Sequence, residues 1–432
     1  MRNNIIHVGA DELTYEIREI VELGEKLKEL GVPIVWENIG DPIAKGHHIP
    51  AWIKTAVKET VEDDTSFGYS PTKGVLATRE FISHMRNGTG AAPISPDDIL
   101  FFNGLGDAIS NVYTYLNRGA RVIGPNPAYP THSSAEAAHA GLHHLSYNLN
   151  PHRNWLPDLN DLRNKVKYNP SISGILIINP DNPTGMVYPK KVLEEIVAIA
   201  REFELFLISD ETYANIVYGA EPMVSLFQVA GEVPTIVMRG LSKEIPWPGA
   251  RCGWIEVYNR ERDPVFARYV KTLVDAKMLE VCSTTLPQRV LPKVFADKRY
   301  RGHLDEQSAG YKRRADSAYA MLHGVEGVVA PKPSGAFYYS VVFEDGILTD
   351  RQTLAITDKK VAKFIEDAVV GLPFDKRFVY YLMAASGICV VPLSGFNSEL
   401  PGFRFTLLEP DEKTFEHIVR TIAEKIREYV RS

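Results

Sequence analysis

The stretch from Asp98 to Asp210 alternates short apolar runs with helical patterns, and this rhythm constrains the fold more than any other feature of the chain. Ile99–Phe102 reads as a buried strand, and a helix follows over Asp107–Leu116. Arg121–Ile123 and Gly174–Ile178 read as further strands. A helix over Lys190–Phe203 leads into a strand at Leu205–Ile208, which is closed by Asp210. Strand–helix alternation implies a parallel sheet with helices on both faces. Ligands of such sheets bind beyond the carboxyl ends of the strands. Chemistry is therefore expected in the turns after these strands: Asn103–Gly106, Pro125–Pro130, Asn179–Gly185 and the residues after Asp210.

The flanks obey other rhythms. Ile17, Ile20, Leu23, Leu27 and Leu30 recur at helical spacing and predict a helix over Thr14–Leu30, stopped by Gly31 and Pro33. A strand over Pro33–Ile39, a helix over Pro50–Val61, a turn-rich loop at Asp63–Lys73 and a helix over Gly74–Arg86 follow. Asp263–Leu322 is mostly helical. Val325–Ser432 mixes short strands (Phe337–Val342, Ile388–Val391, Phe403–Leu407) with helices (Asp358–Val370, Thr414–Tyr429). The expected fold class is α/β. Residues 63–310 form a large domain with a mostly parallel sheet flanked by helices. Residues 311–432, with part of an N-terminal arm at 1–62, form a smaller α+β domain.

Charge and composition exclude several functions. Lys and Arg number 48 against 54 Asp and Glu, a net charge of −6, and the signs are interspersed. No basic stripe suits nucleic acid, and no polybasic amphipathic segment suits a membrane surface. No run approaches the roughly 20 apolar residues that span a bilayer, and the N-terminus lacks the apolar core of a signal peptide. The three cysteines, Cys252, Cys282 and Cys389, are far apart and odd in number. They fit a reducing compartment rather than a disulfide framework, so a cytoplasmic protein is expected. His47–His48 and His143–His144 are adjacent pairs without a Cys-x-x-Cys, which argues against a metal site.

The stretch Met238–Trp254 concentrates the chemistry. Lys243 follows an apolar strand end, Arg251 follows a Pro248–Gly249 turn, and a short strand over Gly253–Val257 comes next. A lysine after a strand is most often a solvated charge, so its weight depends on what converges with it. Gly104, Leu105 and Gly106 lie between a strand and a helix, where backbone N–H groups can cradle a phosphate. They also suit a plain tight turn, and they form neither a dinucleotide fingerprint nor a Walker loop. Asn182, in the turn NPDNPTG, offers an amide to a ligand hydroxyl. Asp210 at a strand end could be a helix cap. Tyr213, three residues on, shares its crevice if the chain turns helically there. Arg404 alternates with Phe403 and Phe405, so burial of the phenylalanines turns it toward cleft or solvent. Arginine is the natural partner of a carboxylate. A lysine, a strand-end carboxylate, a phenol, an amide, an arginine and a phosphate cradle are what pyridoxal phosphate requires.

With these residues in view, the chain resembles a fold-type I, class I/II aminotransferase over roughly Leu30–Tyr429. The motifs are NIGDP (Asn38–Pro42), GYSPTKG (Gly68–Gly74), NPAYP (Asn126–Pro130), NPDNPTG, SDETY (Ser209–Tyr213), LSKEIPWPGARCGW (Leu241–Trp254) and FRFTL (Phe403–Leu407). The resemblance implies that Lys243 links covalently to the cofactor, that Asp210 partners the pyridine nitrogen, and that Asn182 and Tyr213 partner the 3-oxygen. Tyr129 matches the aromatic residue stacked on the ring. Gly104, Leu105 and Gly106 match the phosphate cup, joined by Ser242 and Arg251. Tyr69 matches a tyrosine that reaches the neighbouring subunit's phosphate, which implies a homodimer. Arg404 matches the holder of the substrate α-carboxylate, with Gly40 closing over it. Two positions depart from the family pattern: Gly240 and Gly106 stand where many relatives carry hydroxyl residues.

Within the family, NWLPDLNDLR (Asn154–Arg163), INPDNPTGMVY and GLSK are most similar to bacterial alanine transaminases that use glutamate or 2-oxoglutarate. No second arginine for a side-chain carboxylate is identifiable. An aspartate or broad-specificity aminotransferase is the nearest alternative. A β C–S lyase or an aminocyclopropane-carboxylate synthase relative shares most of the cofactor residues. A cofactor-binding transcription factor would need a DNA-binding module, and the acidic stretch before Gly40 is too short for one.

Overall fold

The computed structural model describes residues 5–13, 16–88 and 92–432. Helix α1 (Glu16–Glu29) buries Ile20, Leu23 and Leu27 on one face, as their spacing predicts. The expected start at Thr14 and the side chain of Ile17 lie outside the described residues. The strand expected over Pro33–Ile39 contracts to β1 (Val35–Trp36). Beyond it the backbone of Glu37 still bonds Cys389 and Thr406, but Asn38–Gly40 turn away into a cavity. Helices α2 (Ala51–Val61) and α3 (Leu76–Asn87) follow.

The alternating region builds an eight-stranded sheet. Its members in chain order are β2 (Ile99–Phe102), β3 (Arg121–Asn126), β4 (Ser146–Asn150), β5 (Leu156–Pro157), β6 (Ile172–Ile178), β7 (Phe206–Asp210), β8 (Thr235–Gly240) and β9 (Gly253–Tyr258). Their order across the sheet is β2-β9-β8-β7-β6-β3-β4-β5. β8, β7, β6, β3 and β4 run parallel, while β9 and β5 are antiparallel to their neighbours.

The interleaved helices are α4 (Leu105–Thr114), α5 (Pro130–Ala140), α6 (Leu159–Tyr168) and α7 (Lys190–Glu202), with α8 (Pro264–Leu279) after the last strand. β6 shows how the sheet is sandwiched. Side chains alternate across a strand, so Ile175 and Ile177 pack with Leu162, Leu193 and Ile196 on one face. Leu176 and Ile178 pack with Ile109, Val112 and Phe266 on the other. α4 starts at Leu105, earlier than the expected Asp107, so Leu105 and Gly106 form its first turn. α5, which the sequence pattern does not announce, begins with Pro130 at its first position. It buries His132, Ser133 and Glu136, and the Arg121–Glu136 ion pair (2.5 Å) ties it to β3.

α9 (Thr285–Phe295) and α10 (Tyr300–Leu322) lead to a second, four-stranded antiparallel sheet. It contains β10 (Val328–Val329), β11 (Tyr338–Phe343), β13 (Val391–Pro392) and β14 (Gly402–Thr406), in the order β10-β11-β14-β13. The intervening β12 (Ile388–Cys389) pairs with β1 in parallel. α11 (Lys359–Ala368), α12 (Phe374–Ser386) and α13 (Glu412–Arg431) cover this sheet. One apolar core joins it to α1 and α10. Segment 344–376 belongs to that core, because Leu348, Leu354, Val361 and Ile365 are buried in it.

Candidate active site

The carboxyl ends of β2, β3, β6, β7 and β8 share one edge of the large sheet, and β9 starts there. Beyond this edge, against the second sheet, lies a cavity of about 410 Å³. Gly40, Leu105, Gly106, Tyr129, Asn182, Asp210, Tyr213, Ser242, Lys243, Arg251 and Arg404 all line it. Gly104 stands just behind as the N-cap of α4, with φ of 89°. A Cβ there would fall 2.3 Å from Arg251 Nη2, so only glycine lets the guanidinium close on the helix start. Tyr69 is not in this wall: it is 87% exposed on the loop before α3.

Lys243 is half-buried in the turn after β8 and donates from Nζ to the Gly40 carbonyl (2.7 Å). Asp210 is the buried last residue of β7. Its Oδ2 lies 3.1 Å from His132 Nε2, and its Oδ1 accepts from the Thr212 N–H at 3.1 Å. His132 Nδ1 in turn faces the buried Tyr113 hydroxyl (3.3 Å). Tyr213 lies 2.9 Å, oxygen to oxygen, from Tyr338, and burial pushes its phenol well up. In the turn after β6, burial pushes the Asp181 carboxyl up to about 7. Thr184 donates to it through its hydroxyl and its N–H, which fixes the turn that carries Asn182.

Arg404 sits in mid-strand on β14 and is 2% exposed, with Phe403 and Phe405 fully buried. It donates to the Asn38 carbonyl and, at 3.3 Å, to Asn182 Oδ1. Its Cζ lies 4.4 Å from the Tyr338 ring and 5.0 Å from that of Phe396. Behind the cavity, the buried Glu211–Arg239 pair joins the residue after Asp210 to the residue before Gly240. Arg239 also approaches Glu256 (3.8 Å), which Arg86 binds at 2.8 Å. Burial alone would push the Glu256 carboxyl up, but the two arginines outweigh it and hold it at about 2.

Sequence reasoning missed His132, Asn38 and Tyr338. His132 carried a signal: it lies three residues after Tyr129, one helical turn on. Tyr338 carried none, since an aromatic residue in a strand has ordinary structural uses, and Asn38, although it opens the NIGDP motif, carried no sign of its own place in the wall.

The donor set fits pyridoxal phosphate. A buried carboxylate held by a histidine suits a protonated ring nitrogen. A helix start beside an arginine and a serine hydroxyl suits a phosphate. Asn38 is fully buried in the cavity wall, and neither polar atom of its side-chain amide has a partner among the described residues. Such a fold with such a site defines a fold-type I pyridoxal-phosphate enzyme. Residues 34–422 match the family model described as aminotransferase class I and II, and the chain belongs to that family.

Individual relatives narrow the comparison. A protein of Methanocaldococcus jannaschii named as an uncharacterized aminotransferase is 52% identical over 432 residues, which is 100% of both chains. The Escherichia coli glutamate-pyruvate aminotransferase AlaA is 29% identical over 332 residues, 76% of this chain and 80% of its own. Among solved structures, an alanine aminotransferase from Pyrococcus furiosus superposes with a TM-score of 0.83 at 25% identity, covering 98% of each chain. A double mutant of Thermus thermophilus aspartate aminotransferase shares the fold, with a TM-score of 0.80 at 22% identity over 98% of this chain and 100% of its own.

Proposed function

We propose that this aminotransferase moves an amino group between an L-amino acid, with alanine favoured, and a 2-oxo acid such as 2-oxoglutarate or pyruvate. The observation that carries the reading is the convergence of Lys243, Asp210, Asn182 and Tyr213 with Arg404 in one cavity. The preference for alanine rests on the named relatives and on the wall itself. Among the described residues its cations are Lys243, Arg251 and Arg404, and each has a role without a second substrate carboxylate.

Pyridoxal phosphate, when bound, supplies an electron sink for the charge left on the substrate α-carbon as its proton departs. Lys243 would hold the cofactor through Nζ, and its amine is the group placed to move that proton as base and then acid. Asp210 keeps a proton on the ring nitrogen, and His132 fixes the carboxylate that does so. Tyr213 and Asn182 donate to the ring's 3-oxygen, and Tyr129 covers the ring face. Leu105, Gly106, Ser242 and Arg251 hold the phosphate, with Gly104 leaving room for the guanidinium. Arg404 binds the substrate α-carboxylate by paired hydrogen bonds, and Gly40 closes over the substrate.

Tyr69 completes the phosphate site of a second copy, so the working unit is a homodimer. The exposure of Phe67 (72%), two residues before it, supports a covered face there. Among the described residues no helix is long and apolar enough to cross a membrane. Three free cysteines support a cytoplasmic location.

A panel of amino donors against 2-oxoglutarate and pyruvate tests the reading. Alanine with 2-oxoglutarate should show the highest kcat/KM. Steady release of ammonia and pyruvate from a thioether donor, with no oxo acid present, would replace transamination by a lyase reaction.

A further inference from the structure

We infer that Tyr338 is a positioning residue that couples the arginine gripping the substrate to the phenol facing the cofactor. The inference rests on the roles proposed above for Arg404 and Tyr213. Tyr338 is the first residue of β11 and pairs with Thr406 on β14, so it is anchored in the second sheet. Its side chain is buried, lines the cavity, and meets three groups at once. Its hydroxyl lies 2.9 Å from that of Tyr213. Its ring faces the Arg404 guanidinium at 4.4 Å. Its hydroxyl also fills the space beside Gly40, where a Cβ would fall only 2.1 Å away.

The two halves of the side chain do separate jobs. Each phenol carries one proton. With the Tyr213 proton directed at a ligand oxygen, the Tyr213 oxygen must accept the proton of Tyr338. Donation from Tyr338 makes Tyr213 the stronger donor, because chained hydrogen bonds polarise one another. The ring acts on the other side. A guanidinium is held flat against an aromatic face, so the ring sets the plane in which Arg404 can offer two parallel N–H groups to a carboxylate. Packing of Gly40 against the same hydroxyl brings the closing loop to the junction of both.

Tyr338→Phe and Tyr338→Leu in the holoenzyme separate these jobs. The first readout is the pH midpoint of the cofactor's visible absorbance. The second is the Kd of 2-methylalanine, an amino acid with no α-hydrogen to lose, set against that of n-propylamine. Y338F should raise the midpoint by about half a pH unit and leave both Kd values within about twofold. Y338L should raise the midpoint equally and weaken 2-methylalanine about tenfold, with n-propylamine little changed. An unmoved midpoint in Y338F, or equal loss of amine and amino acid in Y338L, overturns the coupling. Y213F and R404A are the controls. If they move the readouts and the Tyr338 variants do not, only the coupling falls. If they too leave the readouts unmoved, the reading of the cavity falls with it.

Discussion

Lys243 and Arg404 face one cavity from two different sheets, and the chain secures them by different means. Lys243 lies past the end of β8, half-buried in a turn, where its Nζ donates to a loop carbonyl and lies 5.8 Å from the Phe337 ring. The rigidity around it is in the strand ends. Behind it the Glu211–Arg239 pair joins the end of β7 to β8, Arg239 also approaches Glu256 on β9, and Glu256 is bound in turn by Arg86 of α3. Arg404 is locked in the middle of β14, between two aromatic rings and against a carbonyl and an amide. The difference fits the roles proposed for the two residues. A group that binds a cofactor and then carries a proton must move, so it sits on a turn whose base is stiff. A group that only recognises a carboxylate gains by being fixed beforehand.

Lys243→Ala breaks the comparison most severely. Transamination should fall by about ten-thousandfold or more, and the pH-sensitive visible absorbance should disappear. A surviving band would show that another group binds the cofactor. Glu256→Gln tests those ion pairs. Leaving Arg86 and Arg239 without that charge should cost about 3–5 kcal/mol in chemical denaturation. The wild-type ion pairs also have a pH signature. The Glu256 carboxyl titrates at about 2 in the folded chain against an ordinary 4.5, so its stabilisation is complete above 4.5 and is lost as pH falls toward 2. E256Q should flatten that acid limb, and an unchanged limb would place acid sensitivity elsewhere.

Arg404→Ala should raise KM for α-amino acids by about a hundredfold while leaving simple amines within a few-fold. Equal losses would make the arginine a packing residue. The smallest effect concerns the two departures from the family pattern. Gly106 has no atom within 4 Å of where a Cβ would lie, whereas at Gly240 a Cβ would fall 3.2 Å from the Cys252 carbonyl. Gly106→Ser should therefore tighten cofactor binding by about fivefold through one added phosphate hydrogen bond. Gly240→Ser should gain less, as read by cofactor titration of the apoprotein.

Much of the large sheet was legible because its signals are local. β2 has the bounds its apolar run predicts, and Asp210 closes β7 as expected. α5 was not legible. It buries a histidine, a serine and a glutamate, so its inward face carries no apolar stripe. Its polar residues are satisfied by Asp210, Arg121 and their neighbours, partners that only the closed fold supplies. The Pro33–Ile39 strand was over-read for the complementary reason. Its apolar run over Ile34–Trp36 is real, but Asn38–Gly40 leave the ladder to reach the cavity. Within segment 344–376, Leu348, Leu354, Val361 and Ile365 contribute to the core of the second sheet, a partner that only the closed fold supplies.

The amino-acid order alone determined the parallel sheet, the turns at its strand ends and the reactive groups in them. Strand periodicity and turn chemistry act over a few residues and need no distant partner. Only the tertiary structure decided how those turns are held and what closes over them. His132 meets Asp210, Tyr338 meets Tyr213, and Arg404 meets Asn38 and Asn182 across long separations in the chain. The first contact depends on how α5 packs on the large sheet and the others on how the second sheet packs against it, and no local pattern encodes either packing.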